Sequence, residues 1–434
     1  MSDRTLELHT ERPVVGGAML ARHEGRVVLV FGAIPGEHVR VRVDRERRDV
    51  IHATVIDVIT PDADRRIVNG DPACGGQTYQ HIAYRRQLAL KSQLIGDALT
   101  RIAKLPEIDP VPVAGSTEHG YRMRARLHCG RSGLGFLREG THTICDAAPT
   151  GQLLDGTADV VAALGDRLRD ARVDAVERVE LSENLAGDQR VLHLHLRRRV
   201  PAGTLSSCTA DLSCTGVTTA RATDRAATLL HGVPTVSDPV SSLVHQGTGS
   251  GHVTRHASSF FQANRYLLPR LVSAVCRRVS VGPVLDLYAG VGLFGAALSS
   301  VGVEEITAVE RDRASFADLR LNGASCRRPI DVVRASTESY LKDRAAPILG
   351  TVIADPPRTG LAWSVVERLA LLGASRLVYV SCDVATFARD LKRLSDLGYT
   401  VGEVEAFDMF PNTAHVELLA TLSLAASPAA PPSP

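Results

Sequence analysis

The chain has 434 residues, is 44% hydrophobic, and carries 50 Lys+Arg against 48 Asp+Glu for a formal net charge of +2. That length predicts two or three domains, the apolar fraction excludes global disorder, and the near balance of charge excludes a uniformly basic nucleic-acid binder while leaving room for local basic surfaces. The eight cysteines are scattered without a C-x-x-C pair, which predicts free thiols in a reducing cytosol; no run of about 18 apolar residues and no signal-peptide core is present, so a soluble, cytoplasmic protein without membrane contact is expected.

Residues 1–62 alternate short β-like runs with glycine turns at Gly32 and Pro35-Gly36, which predicts a small five-stranded barrel of the OB type. Within it Val39, Val41 and Val43 alternate with Arg40 and Arg42, and Arg45, Arg47 and Arg48 follow. An RNA-facing surface and a plain solvated strand face fit this pattern equally well. Residues 63–255 predict a central α+β domain. Helical spacing covers 79–100 through Ile82, Leu88, Leu94, Ile95 and Leu99, and this helix is a candidate to pack on the domain that follows. In 121–127, Arg122, Arg124 and Arg126 share one strand face and repel one another unless anions sit there, so a phosphate contact surface is the favoured expectation. A helix is expected at 153–168 and strands at 178–185 and 191–196. His193 and His195 share one face of the second strand and read as packing residues rather than a metal pair. Cys208 and Cys214 fall in a Ser/Thr/Gly-rich stretch expected to be a loop.

From Pro283 the pattern changes to alternating strands and helices. Seven strands are expected, at 284–287, 305–309, 331–334, 351–354, 377–380, 402–407 and 416–422. The first five alternate with helices, and the last two join through Pro411-Asn412 as an antiparallel hairpin. The fold class is therefore multidomain α/β: an N-terminal OB-like barrel, a central α+β domain, and a C-terminal seven-stranded doubly wound, Rossmann-like domain over 256–424. Residues 425–434, rich in Ala, Pro and Ser, are expected to be a disordered tail.

This last domain carries the chemistry. Leu377-Val-Tyr-Val-Ser-Cys382 reads as a buried strand that delivers a thiol to the carboxyl edge of an open sheet, where such sheets present reactive groups. Asp286-Leu-Tyr-Ala-Gly-Val-Gly292 is a strand entering a glycine turn. With Gly295 it formally satisfies G-x-G-x-x-G, and Glu310, about twenty residues on, can accept ribose hydroxyls. The D-x-Y-x-G-x-G form suits an S-adenosylmethionine site better than a nicotinamide one. Asp355-Pro-Pro-Arg358 holds a carboxylate over the sheet edge. Tyr288, Glu310, Asp355 and Cys382 then share one rim, and an antiparallel final strand starts on that same rim with Glu417.

These segments resemble the RNA uridine-C5 methyltransferase family, which forms 5-methyluridine in ribosomal and transfer RNA, and the likeness spans nearly the whole chain. The residues that carry it are Gly32-Ala-Ile-Pro-Gly-Glu-His-Val39 (similar to a TRAM domain), Gln80-His-Ile-Ala-Tyr-Arg-Arg-Gln-Leu-Ala-Leu-Lys91, Ser259-Phe-Phe-Gln-Ala-Asn264, Asp355-Pro-Pro-Arg-Thr-Gly360, Ser381-Cys382 and Asp408-Met-Phe-Pro-Asn-Thr-Ala-His-Val-Glu417. The resemblance implies that Gln262, Tyr288, Glu310 and Asp355 hold S-adenosylmethionine, that Cys382 is the nucleophile and that Glu417 is the base. It implies an RNA substrate, ribosomal ahead of transfer RNA; the oligomeric state is not readable from the sequence, and a monomer is the expectation. Family members often hold an iron–sulfur cluster on four thiolates. Here Cys74-Gly-Gly-Gln77 lacks one ligand of the family's C-G-G-C run and Ala148-Pro149 stands where the last is expected, with Cys145 nearby, so neither a cluster nor any other metal is expected. Two competing expectations are an amino-methyltransferase, for which Arg358 stands where a stacking aromatic belongs, and a non-enzymatic RNA-binding factor.

Overall fold

The computed structural model describes residues 4–68, 70–106, 110–130, 133–244, 251–280, 282–348 and 350–424; the expected tail at 425–434 lies outside the described residues. The first five strands, β1 (Thr5–Pro13), β2 (Met19–His23), β3 (Arg26–Phe31), β4 (His38–Glu46) and β5 (Val50–Thr60), close into a barrel in the order β1-β2-β3-β5-β4. The alternation seen in the sequence sets the faces of β4: Val39, Val41 and Val43 are buried in the barrel core, and the arginines point outward. Arg40 pairs with Glu7 and Asp57, and Arg42 with Asp44, so much of this cationic face already meets protein carboxylates.

Helix α1 (Tyr84–Arg101) starts later than the expected residue 79; residues 79–83 form a turn that leads into it. Its buried stripe is Gln87, Leu90, Lys91, Leu94, Ile95, Ala98 and Leu99, a 3.6-residue period in which two polar residues occupy core positions. Leu90 belongs to the barrel core, whereas Ile95, Ala98 and Leu99 belong to the core of the C-terminal sheet. One helix thus welds two cores. The Lys91 ammonium donates to Asp408 at 2.5 Å, and both side chains are fully buried.

Then follow β6 (Val113–Ala114), β7 (Arg124–Gly130), β8 (Gly133–Leu137), β9 (Ile144–Asp146), α2 (Asp155–Asp170), β10 (Val176–Glu183), β11 (Arg190–Leu196), α3 (Ala202–Thr209), β12 (Gly216–Arg221) and β13 (Thr228–Gly232). Seven of these strands form the central sheet, in the order β13-β12-β11-β10-β7-β8-β9. Three expectations change here. The anion that relieves the arginine row is the protein's own Glu180, 3% exposed on β10, which pairs with Arg126 at 2.8 Å and Arg124 at 3.4 Å; cross-strand pairing of β7 with β10 sets Arg126 directly opposite Glu180. Cys208 lies in α3 rather than in a loop. Cys74 and Cys145 are joined as a disulfide with a Cα separation of 5.8 Å, so the expectation of eight free thiols fails at one pair. Cys74 bridges to Arg138 at the end of β8, and β8 pairs with β9, so the hairpin brings together thiols that are 71 residues apart in sequence. His193 packs edge-on against His195 and His256 and hydrogen-bonds Thr218.

After β14 (Thr235–Pro239), α4 (Val240–Leu243) and β15 (His252–His256) comes the third unit: α5 (Leu268–Arg278), β16 (Val284–Leu287), α6 (Leu293–Ser300), β17 (Ile306–Glu310), α7 (Arg313–Ser325), β18 (Asp331–Arg334), α8 (Thr337–Asp343), β19 (Thr351–Ala354), α9 (Trp363–Leu371), β20 (Arg376–Ser381), α10 (Val384–Asp396), β21 (Tyr399–Phe407) and β22 (Glu417–Leu424). All seven expected strands are present, and the upstream strand β6 joins them as an eighth at the edge: β18-β17-β16-β19-β20-β22-β21-β6. β16 to β20 are parallel to one another, and β22 runs antiparallel between β20 and β21. Helices cover both faces, which is why the central strands read as unbroken apolar runs rather than alternating ones. Val240, Leu243 and Val253, upstream of residue 256, share the core that lies against β16 and α5.

The Lys91–Asp408 pair gives a stability prediction. Removing one partner of a fully buried ion pair leaves an uncompensated charge, at a cost of about 3–5 kcal/mol. Lys91→Ala should therefore lower the denaturant midpoint strongly, whereas Arg40→Ala, whose ion pairs are exposed, should leave it nearly unchanged.

Candidate active site

The loops at the carboxyl ends of β16, β17, β19 and β20 share one rim. β16 ends at Leu287, and Tyr288 follows with φ +61°, a left-handed backbone that is strained for a bulky residue and typical of functional turns. The chain then turns through Gly290 (φ +57°) and Gly292 (φ +86°) into α6. The left-handed backbone at Gly292 is one that L side chains rarely adopt, so glycine is favoured there. Glu310, the last residue of β17, clamps this turn: one carboxylate oxygen accepts from the Gly290 amide at 2.9 Å, the other from the Asp312 amide at 2.6 Å. Asp355 follows β19 and accepts from the Gln262 amide nitrogen at 3.3 Å. Gln262 is placed by backbone pairing of its segment with 121–123, through Met123 to Ala263 and Arg265 to Tyr121.

Cys382 is half-buried, directly after β20. Its neighbour Asp383 caps α10 by accepting from the Thr386 amide at 2.8 Å, which ends the strand at the thiol. The register of β20 with β22 pairs Ser381 with Leu418. One step further along both strands sets Cys382 across from Glu417, which is 2% exposed. The six residues singled out in the sequence, Gln262, Tyr288, Glu310, Asp355, Cys382 and Glu417, therefore all belong to this one rim.

The rim is short of positive charge. Burial, then Glu417 and Asp355, push the Cys382 thiol up to about 12, against a smaller lowering by the Arg358 guanidinium. Glu417 is raised well above the carboxylate range by burial and then by Asp355. Burial lifts Asp355 to about 7, and Asp286, below the glycine turn, rises to about 8 through burial, then Asp355 and Glu310. Arg358 is exposed, and its guanidinium lies 3.3 Å from His415 Nε2. Free of ligands, the site holds its thiol and its deepest carboxyls neutral.

This chemistry fits a cationic adenosine cofactor. The glycine turn can approach a ligand closely, Glu310 retains lone pairs beyond its two backbone bonds for ribose hydroxyls, and both oxygens of the fully buried Asp286 lack a hydrogen-bond partner. An orphaned buried carboxyl beside two other acids is a place that a positive charge stabilises.

What the sequence pattern did not reveal is the clamp on the segment leading to Glu417. Lys91 donates to Asp408 and to the Phe410 carbonyl, Gln87 bonds the Asn412 side chain and backbone amide, each at 2.9 Å, and Arg66 donates to Asn412 at 2.8 Å. Asn264 adds contacts to the carbonyls of Asp408 and Met409. The available signal was the presence of Gln87 and Lys91 within the apolar stripe of α1.

Comparison with known proteins bears on the family and the fold. A family model described as tRNA (Uracil-5-)-methyltransferase matches residues 248–424. A Pseudomonas fluorescens (strain Pf0-1) protein named 23S rRNA (uracil(1939)-C(5))-methyltransferase RlmD is 30% identical over 95% of this chain and 90% of its own length. A Thermotoga maritima protein described as an uncharacterized RNA methyltransferase is 28% identical over 96% of this chain and 98% of its own. Among solved structures, the Pyrococcus abyssi tRNA (uracil-54, C5)-methyltransferase in complex with S-adenosyl-L-homocysteine matches with a TM-score of 0.75 at 24% identity, covering 96% of this chain and 99% of that one; at that identity the match concerns the fold.

The raised thiol predicts an alkylation profile. In the free protein, iodoacetamide modification of Cys382, followed by peptide mapping, should climb about tenfold per pH unit from pH 7 to 10 because only the thiolate reacts. A plateau below about pH 9 would contradict a thiol held near 12.

Proposed function

The chain belongs to the family of uracil-C5 RNA methyltransferases, and from that premise we propose that it methylates carbon 5 of a uridine in ribosomal RNA, with Cys382 as covalent nucleophile and Glu417 as proton acceptor. The observation that carries this is the thiol at the end of β20 set across the strand register from a buried carboxyl. The preference for ribosomal over transfer RNA is supported by the curated relative at 30% identity, whose name specifies 23S rRNA.

S-adenosylmethionine, when bound, supplies an electrophilic methyl group on a positively charged sulfur. Gln262, Tyr288, Glu310 and Asp355 are the residues we assign to holding it. Carbon 5 of uracil is a poor nucleophile. Addition of the Cys382 thiolate to carbon 6 turns the ring into an enolate, and carbon 5 then attacks the methyl group. Glu417 removes the proton left on carbon 5, the ring electrons re-form the double bond, and the carbon 6–sulfur bond breaks to return the thiolate. Covalent catalysis divides one hard displacement into easier steps, and sulfur suits it because it both adds and leaves readily.

Two features of the site serve this sequence. Arg358 lowers the pKa values of both Cys382 and Glu417, so this cation favours the forms that react. A positive charge at the donor position acts in the same direction, which keeps the thiol quiet until the ternary complex forms. The uracil must leave its stack to reach a half-buried thiol, so the RNA is remodelled on binding. Arg126, whose side chain stays exposed despite its pairing with Glu180, is a candidate phosphate contact for that RNA.

The test is paired substitution. Cys382→Ala should abolish 5-methyluridine formation with radiolabelled donor, while Glu417→Gln should lower turnover by roughly a hundred- to ten-thousand-fold and accumulate a methylated protein–RNA adduct that survives a denaturing gel. Full activity of Cys382→Ala, or methyl groups recovered on an exocyclic nitrogen, would overturn the assignment. Mapping the label onto 23S rRNA or onto tRNA decides the substrate.

A further inference from the structure

We propose that binding of the positively charged cofactor expels a proton held by the carboxyl pair Asp286 and Asp355, so that capture of the methyl donor and loss of its demethylated product are proton-linked. The inference rests on the S-adenosylmethionine assignment and adds a role for Asp286, which the catalytic steps leave unused.

Asp286 lies on the central strand β16, in register with Ala308 on β17 and Ile353 on β19. Its side chain is 0% exposed, and neither oxygen has a partner at full hydrogen-bond geometry. A buried polar atom without a partner costs free energy and is uncommon, so an orphaned pair of oxygens on one side chain calls for an explanation. The backbone amide of Gly295 in α6 gives it slight relief. A Cβ at Gly295 would meet Ile330 at 2.9 Å and stand 3.9 Å from Asp286 Oδ2, so α6 packs closely over the carboxyl.

The ionisable groups facing Asp286 are Asp355 at the end of β19 and Glu310 at the end of β17, both acids. Asp355 in turn faces the neutral Gln262 amide, Asp286, Glu417 and Cys382. Arg358 acts on Cys382 and Glu417. Among the described residues no lysine, arginine or histidine forms an ion pair with Asp286 or Asp355. Three acids with no cation between them cannot all ionise cheaply, so at least one keeps its proton. Burial, then repulsion by Asp355 and Glu310, places Asp286 near 8, and burial places Asp355 near 7, inside the physiological window.

The exchange balances. A carboxyl gives its proton to solvent and becomes a carboxylate as positive charge arrives, with no change in oxidation state. Once the methyl group has left, the sulfur is neutral, the reason for the ionised form is gone, and the carboxyl takes a proton back. The product therefore leaves a site that no longer favours it.

Isothermal titration of the wild-type protein with S-adenosylmethionine at pH 7, in buffers of different ionisation enthalpy, counts the protons released. The expected result is release approaching one proton, a smaller release for S-adenosylhomocysteine, and donor affinity that rises by up to about tenfold per pH unit between pH 6 and 8. Asp286→Asn, close in shape, should cut the release and flatten that pH dependence. A buffer-independent enthalpy with the wild-type protein, or undiminished release in Asp286→Asn, would overturn the proposal while leaving the methyltransferase assignment standing. Absence of any donor binding would remove both. The wild-type buffer series decides the linkage without the variant.

Discussion

The site depends on one strand register. β22 is inserted antiparallel between β20 and β21, so its first residue meets the end of β20, and the pairing of Ser381 with Leu418 sets Glu417 across from Cys382. A slip of one residue would turn Glu417 to the opposite face of the sheet. Apolar strands buried on both faces specify register weakly through pattern alone, and β22 reads Glu-Leu-Leu-Ala-Thr-Leu-Ser-Leu with six consecutive buried residues. The polar clamp on the preceding segment supplies what the pattern lacks. Lys91, Gln87, Arg66 and Asn264 fix residues 408–412 from outside the hairpin, and Asn412 takes the left-handed turn that directs the chain into β22. A fully buried ion pair is poor value for stability alone, since well-packed apolar residues often do as well or better. Here Lys91 and Asp408 give geometry: they tie the helix that joins the barrel to the C-terminal sheet to the loop that leads into Glu417.

Electrostatics favours the neutral forms of Cys382 and Glu417. Asp286, Glu310, Asp355 and Glu417 converge with Arg358 as the cation acting on the thiol and the base. Burial raises all four carboxyls, like charge adds to the rise at Asp286, Glu310 and Glu417, and both raise the thiol. A site built this way is complementary to a ligand that brings positive charge with it.

Much of this was legible in the sequence because open α/β sheets put their chemistry at strand ends. Tyr288, Glu310, Asp355 and Cys382 each follow or end a short apolar run, and that position alone predicts a shared rim. The hairpin at Pro411-Asn412 carried Glu417 to the same side. Other features were hidden for physical reasons. The eighth strand, β6, has two residues and pairs with β21 across roughly 290 residues of chain, a contact no local period encodes. Glu180 neutralises the arginine row from a neighbouring strand, so a charge pattern on β7 overstated the bare cationic face. The Cys74–Cys145 bond joins two hairpin-aligned positions that composition left unpaired. Asp286 was visible as part of a motif, but its lack of hydrogen-bond partners is a property of packing.

The central claim is that the sulfur of Cys382 bonds transiently to carbon 6 of a uracil. RNA carrying 5-fluorouridine at the target position tests it most directly, because fluorine cannot leave as a proton does and the adduct stays intact after methyl transfer. Incubation with S-adenosylmethionine, digestion and mass spectrometry should give a methylated fluorouridine attached to the peptide that contains Cys382. Turnover of the fluorinated RNA without a protein adduct, or an adduct on another residue, would contradict the account.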